Sequence, residues 1–159
     1  MEVRLNVKIQ AGDIYDYMLY HQYMSPAGLI GSGVGALLVV AFFMNKQFIF
    51  LLAGIIILLY LPWTLFLKSR QQALTNPAFQ QEMEYILNET GLTIRQGEAE
   101  ETQSWENMHK AVSTGRSIIV YTSPINATII PKRCMVDSKM DVIRVISTHM
   151  PHKKVKIRE

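Results

Sequence analysis

Cysteine is almost absent from this chain: Cys134 is the single one in 159 residues. One thiol excludes an intrachain disulfide and any zinc site built from several cysteines. A nucleophilic role would need a neighbouring base. Lys132 and Arg133 offer charge beside it but no proton acceptor at neutral pH, so a partly buried cysteine at a strand end is the simpler expectation. Charge is missing altogether from two long stretches. Residues 27–44 form a run of 18, and residues 48–67 a run of 20, without Asp, Glu, Lys, Arg or His. At about 1.5 Å of rise per residue these reach roughly 27 and 30 Å, the thickness of a bilayer's hydrocarbon core. A buried helix of a soluble protein usually carries a polar stripe, and neither run has one. Two membrane spans are therefore expected, hidden in a mean hydropathy of only +0.12 because the remainder of the chain is ordinarily polar.

Asn45-Lys46-Gln47, which joins the runs, is too short to cross a membrane. The spans must form an antiparallel hairpin with both chain ends on one side. Lys68 and Arg70 follow the second span directly, whereas the loop holds only Lys46. The positive-inside bias therefore places both termini in the cytoplasm. The first 26 residues lack the basic leader of a cleaved signal peptide, so both spans are expected to be permanent.

Glycine clusters at Gly31-Ser32-Gly33-Val34-Gly35-Ala36, the G-x-G-x-x-A spacing of dinucleotide-binding turns. That fingerprint needs a strand before it, an amphipathic helix after it and an acidic residue about 20 positions on. Here a turn-like stretch precedes it, an all-apolar run follows, and Leu52 to Ile57 stand where the acid should be. Small residues recurring every fourth position explain the glycines better. Ala27, Gly31 and Gly35 form one ridge and Gly28, Ser32 and Ala36 another, a surface that lets a second helix approach closely. Gly28, Gly31, Ser32 and Gly35 are thus candidate helix-packing residues, either inside the hairpin or in a homo-oligomer through the first span. Pro62 can kink the second span, and Tyr60 and Trp63 suit the inner interface.

The polar remainder divides into residues 1–26, a domain over residues 78–150 and a basic tail over 151–159. Residues 2–9 alternate at period two and predict a strand, which needs a sheet to join. The distal domain lies on the same side and is the expected partner. Gly12-Asp13 leads into a short helix with an aromatic face. Beyond Asn76-Pro77, strands are predicted near residues 80–87, 91–96, 101–105, 110–113, 117–121 and 127–130, separated by turn residues. Ser138-x-x-Asp141 has the form of a capping box, and Met140, Ile143, Ile146 and Met150 predict one buried helical face ended by Pro151. The fold class is a membrane α+β protein: strand and short helix, two-helix transmembrane hairpin, then an antiparallel β domain of about six or seven strands closed by an amphipathic helix.

Tyr85-x-Leu87 with Gly91-Leu92, Trp105-x-x-Met108-x-Lys110, the run Ser117 to Tyr121, and Ile129-Ile130-Pro131-Lys132-Arg133-Cys134-Met135 resemble the YcxB-like membrane proteins of bacteria. That resemblance implies an N-terminal strand, a two-span hairpin in the bacterial cell membrane and a C-terminal domain similar in outline to pleckstrin-homology-like domains. Met135 stands where the family usually has an aromatic. The resemblance implies an architecture rather than a biochemical role.

A basic balance could suggest nucleic acid, but residues 78–150 hold seven Lys or Arg against nine Asp or Glu. No continuous basic face with stacking aromatics is legible there. The excess lies at Lys153, Lys154, Lys156 and Arg158, with Lys68 and Arg70 at the membrane edge, where an anionic inner leaflet attracts it. A solvated tail is the alternative. His149-x-x-His152 is broken by Pro151, and Glu98, Glu100 and Glu101 read as a solvated hairpin, so neither a metal nor any other cofactor is expected. The triplets Asn88-Glu89-Thr90 and Asn126-Ala127-Thr128 would be glycosylated only in a secretory lumen. Lys132 and Arg133, after a rigid proline at a strand end, are the one pair placed to meet a phosphate headgroup or an acidic partner, or else they remain solvated. The expectation is a non-enzymatic membrane-anchored domain binding a protein partner or lipid headgroups, with no catalytic group assigned. A small channel or transporter component is a second class, for which the spans offer only Ser32, Thr64 and Pro62 as irregularities. An enzyme is a third.

Overall fold

The computed structural model describes residues 2–157. Strand β1 (Val3–Val7) buries alternate residues, Val3, Leu5 and Val7, and exposes those between. It pairs antiparallel with β2 (Met83–Leu87), Leu5 facing Tyr85, so the N-terminus does complete the distal domain's sheet. β3 (Gly91–Gln96) and β4 (Ala99–Ser104) continue it in the order β1-β2-β3-β4. The β3–β4 turn places Gly97 at φ +60°, a region that favours glycine. Gly91 meets a different demand: a Cβ there would lie 2.1 Å from the Gln103 carbonyl oxygen on the neighbouring strand.

A second sheet holds β5 (Lys110–Ser113), β6 (Ser117–Tyr121), β7 (Ala127–Pro131) and β8 (Val155–Lys156), ordered β7-β6-β5-β8. The predicted single antiparallel succession is therefore two four-stranded sheets. The break comes at Trp105, which leaves the strand in a 3-10 turn (Trp105–Asn107) to bury its indole, and its Nε1 donates to the Asn88 carbonyl at 2.8 Å. The basic tail supplies the unforeseen β8, which runs parallel to β5.

Helix α5 (Lys139–His149) packs Val142, Val145 and Ile146 into the core, followed by Met150, while Met140 is 55% exposed. The expected face is thus rotated: burial follows the spacing i, i+3, i+4 from Val142. Ser138 stands at the N-cap without a side-chain cap bond, and Asp141 instead lies 3.7 Å from Arg144, so the predicted capping box is not made. Between the sheets, Leu5, Val7, Leu87, Leu92, Met108, Ile118, Ile130, Met135 and Ile146 belong to one buried cluster.

Four helices precede the β domain's main body. They are α1 (Ala11–Tyr23), α2 (Pro26–Asn45), α3 (Phe48–Thr75) and the short α4 (Pro77–Gln80). Ser25 caps α2, its Oγ accepting from Gly28 N at 3.1 Å, and Pro26 supplies the preset φ of a first turn. Lys46, at φ 57°, ends α2 in the left-handed conformation. Both α2 and α3 are long and apolar enough to cross a membrane, and only 11% of each apolar window is buried, the reverse of a core helix in a soluble protein. α3 continues for two turns past the apolar run, carrying Lys68 and Arg70 beyond it.

Candidate membrane-proximal site

α1 touches both halves of the molecule. Ile14 is buried in the β domain's core, with Tyr17 and Met18 packed against it. On another side Tyr15 sets its ring edge-on to Phe66 of α3, centroids 5.8 Å apart. Leu65 and Ser69 are buried within the same helix.

A buried carboxylate fixes the N-terminal end of α1. Asp13, its side chain 3% exposed, accepts from Gln10 N at 2.8 Å and from both arms of the Arg133 guanidinium at 2.9 and 3.0 Å. Arg133 also donates to the Lys8 carbonyl at 2.6 Å. Bidentate geometry with a third acceptor is what a guanidinium satisfies and an ammonium does not. Lys132 turns the other way and donates from Nζ to the Thr114 carbonyl. The Thr114 hydroxyl in turn donates to Asp16 of α1. The pair expected to face an outside phosphate or acidic peptide is thus engaged inside the molecule, joining the end of β7 to α1 and to the β5–β6 turn. Arg116 from that turn lies over Gly12, where a Cβ would stand 3.2 Å from the guanidinium.

Asp13, Asp16 and Thr114 were not singled out by sequence reasoning. The signal for Asp13 was present in Gln10-x-x-Asp13, an acceptor three residues after an N-cap position. Nothing comparable marked its ion pair, which joins positions 120 residues apart.

The tail candidates separate. Lys154 donates from Nζ to the Met108 carbonyl at 3.0 Å, and Val155 and Ile157 pack on the core. Lys153 and Lys156 are exposed. Arg158 lies outside the described residues.

The helix-packing candidates separate as well. Gly35 is buried, and a Cβ there would stand 2.8 Å from Leu58 of α3; a Cβ on Gly54 would stand 2.9 Å from the Gly35 carbonyl oxygen. Gly54, absent from the expected set, is therefore Gly35's counterpart across the hairpin. Gly28 serves the tight α1–α2 bend, where a Cβ would fall 2.0 Å from the Gln22 carbonyl oxygen. Gly31 and Ser32 line a small crevice with Gln22, Ile57 and Leu61, and Gly31 has no atom within 4 Å of its Cβ position.

An aromatic cluster forms where α1 crosses the second sheet. Tyr17 and His21 stack at 5.8 Å, each lies 6.1 Å from the ring of Tyr121, and Lys110 Nζ stands 4.5 Å over that ring. Tyr121 is fully buried, and its hydroxyl has no hydrogen-bond partner among the described residues. Burial, then the neighbouring Tyr17 and Tyr20, pushes this phenol well above its usual range, so it stays protonated. Among the described residues, no group of three His, Cys, Asp or Glu side chains is placed to hold a metal ion.

Residues 87–144 match the family model described as YcxB-like protein. The match runs from the end of β2 through β3, β4, β5, β6 and β7, the Pro131-Lys132-Arg133 turn and half of α5. No curated protein and no solved structure matches the chain.

Proposed function

With residues 87–144 forming a YcxB-like region, we propose that this chain is a membrane-anchored binding protein. The α2–α3 hairpin crosses the bacterial cell membrane with both termini cytoplasmic. The β domain, pleckstrin-homology-like in outline and non-enzymatic, receives a protein partner at the inner face. One observation carries this reading: α1 is built into the domain through Asp13–Arg133 and Ile14, and into the hairpin through Tyr15–Phe66. A helix shared in this way supports one side of the domain facing the bilayer. Lys68 and Arg70 at the inner end of α3, against Lys46 in the loop, support the orientation. Lys153 and Lys156, exposed on the domain, support contact with anionic headgroups at about 1 kcal/mol per close basic residue, enough to orient a tethered domain.

For the partner, Val136 and Met140 are the apolar side chains that protrude beside α5, 77% and 55% exposed. They stand four positions apart in the chain, and exposed apolar side chains that cluster are features of contact surfaces. The test places a photo-crosslinking residue at Met140 of the full chain in native membranes. A discrete adduct, lost on Val136→Asp, is expected. No adduct at Met140, with the protein abundant in the membrane fraction, would contradict the reading.

A further inference from the structure

An open apolar groove of about 700 Å³ runs along α3 beside α1. Tyr15 lines it from α1, and Ile56, Leu59, Tyr60, Trp63 and Phe66 line it from α3. Its floor begins well inside the apolar run and ends at Phe66, one residue short of that run's last position. There its chemistry changes abruptly: the Arg70 guanidinium sits 5.7 Å from the Phe66 ring centroid, and Lys68 follows the groove's last residue by two positions. Both cations are exposed, and neither has a hydrogen-bonded or ion-paired partner among the described residues. Tyr60 and Trp63 stand just before that end, where amphipathic rings settle at headgroup depth.

We propose that this groove holds an acyl chain of an anionic phospholipid from the inner leaflet, whose phosphate is taken by Arg70, one helical turn beyond Phe66 on the same face. The inference rests on the membrane-anchor reading and names a ligand for it. A long apolar trough ending in a planar, unpaired guanidinium matches a molecule in which a hydrocarbon tail is joined to a phosphate. A second copy of the chain fits less well. Two parallel hairpins related by a two-fold axis along the membrane normal would bring Lys68 and Arg70 of both copies to one depth, like charges facing each other with no acid between them. Lipid in this groove would also touch Tyr15, and through α1 would bear on the seam that holds the β domain.

Trp63 reports on the groove directly. The full chain is reconstituted in bilayers containing phosphatidylglycerol or phosphatidylcholine with brominated acyl chains, and quenching is read against a Trp63→Phe control; Trp105, buried in the β domain, stays outside the quencher's reach. With Arg70 as the engaged cation, the anionic lipid should reach half-quenching at a mole fraction lower by about fivefold. Arg70→Gln should remove that preference and Lys68→Gln, on the opposite face of α3, should leave it, with quenching by the neutral lipid unchanged. Equal half-points for the two lipids in the unaltered chain would overturn the proposal, as would a preference that survives Arg70→Gln. So would a Trp63 insensitive to both lipids in a species of doubled mass, which would put a second copy in the groove. Release of the chain from bilayers by alkaline carbonate marks the different failure, that of the anchor reading itself.

Discussion

Replacing Arg133 by alanine should loosen α1 from the β domain, and the size of the effect follows from the site. Asp13 is almost wholly buried and keeps only the Gln10 N–H once both guanidinium bonds are gone. Breaking a buried ion pair from one side costs about 3–5 kcal/mol, chiefly because the remaining charge stays buried without compensation. The Arg133 side chain is itself 37% exposed, so water can enter the space it leaves and the cost falls toward about 2–3 kcal/mol. Arg133→Lys keeps the charge but not the fork, nor the third bond to the Lys8 carbonyl, and should lose roughly half as much. Asp13→Asn combined with Arg133→Ala removes the stranded charge. The double variant should therefore be more stable than the sum of the single losses by at least about 1 kcal/mol. Urea titration of the full chain in mild micelles, in a Trp63→Phe background, reads the β domain through buried Trp105. A loss below about 0.5 kcal/mol for Arg133→Ala, or additivity within that margin in the cycle, would refute the account of this ion pair.

Tyr121→Phe removes a buried hydroxyl without a partner and should stabilise the domain by about 1 kcal/mol at pH 7 in the same titration. Burial holds the phenols of Tyr121 and Tyr85 well above the ordinary tyrosine range, so their contribution is complete below about pH 10. It is lost as the pH rises toward the folded-state values, because the unfolded chain releases these protons first; Tyr121→Phe should flatten that alkaline loss. Gly91→Ala forces a Cβ onto the Gln103 carbonyl and should cost more than about 2 kcal/mol in the β domain. In the hairpin, Gly54→Leu should lower the thermal midpoint by separating α2 from α3, whereas Gly33→Leu, with nothing within 4 Å of its Cβ position, should leave it unchanged.

The elements easiest to read in the sequence were those in which local pattern and tertiary demand agree. β3, β5 and β6 run over the predicted residues because turn chemistry bounds each of them, and the two apolar runs stand out by length alone. The N-terminal strand's partner followed from topology: with both ends on one side of a hairpin, one sheet was within reach. Where the two levels diverge, the reading failed. β8 is two residues long and set by packing of Val155 and Ile157 on the core, which no local period announces. Met140 fits the helical period on paper, yet the core takes Val142 and Val145 instead, since the face a helix buries is chosen by what it meets. Lys132 and Arg133 were conspicuous because two cations follow a proline. Their partners, Thr114 and Asp13, come from distant segments, so a pair that looked available to a ligand is engaged internally. Arg70 drew attention as an orientation signal and as charge at the membrane edge, but its place beside Phe66 and the groove depends on α3 continuing as a helix past the apolar run.

The central claim is that α2 and α3 cross a bilayer together and leave the β domain on the side opposite their loop. Thiol labelling tests it most directly. In a Cys134→Ser background, Lys46→Cys reports the loop and Lys153→Cys the exposed tail of the domain. With an impermeant maleimide on intact bacterial cells, Lys46→Cys should label and Lys153→Cys should label only after permeabilisation. Labelling of Lys153→Cys in intact cells, or protection of both positions until permeabilisation, would contradict the account.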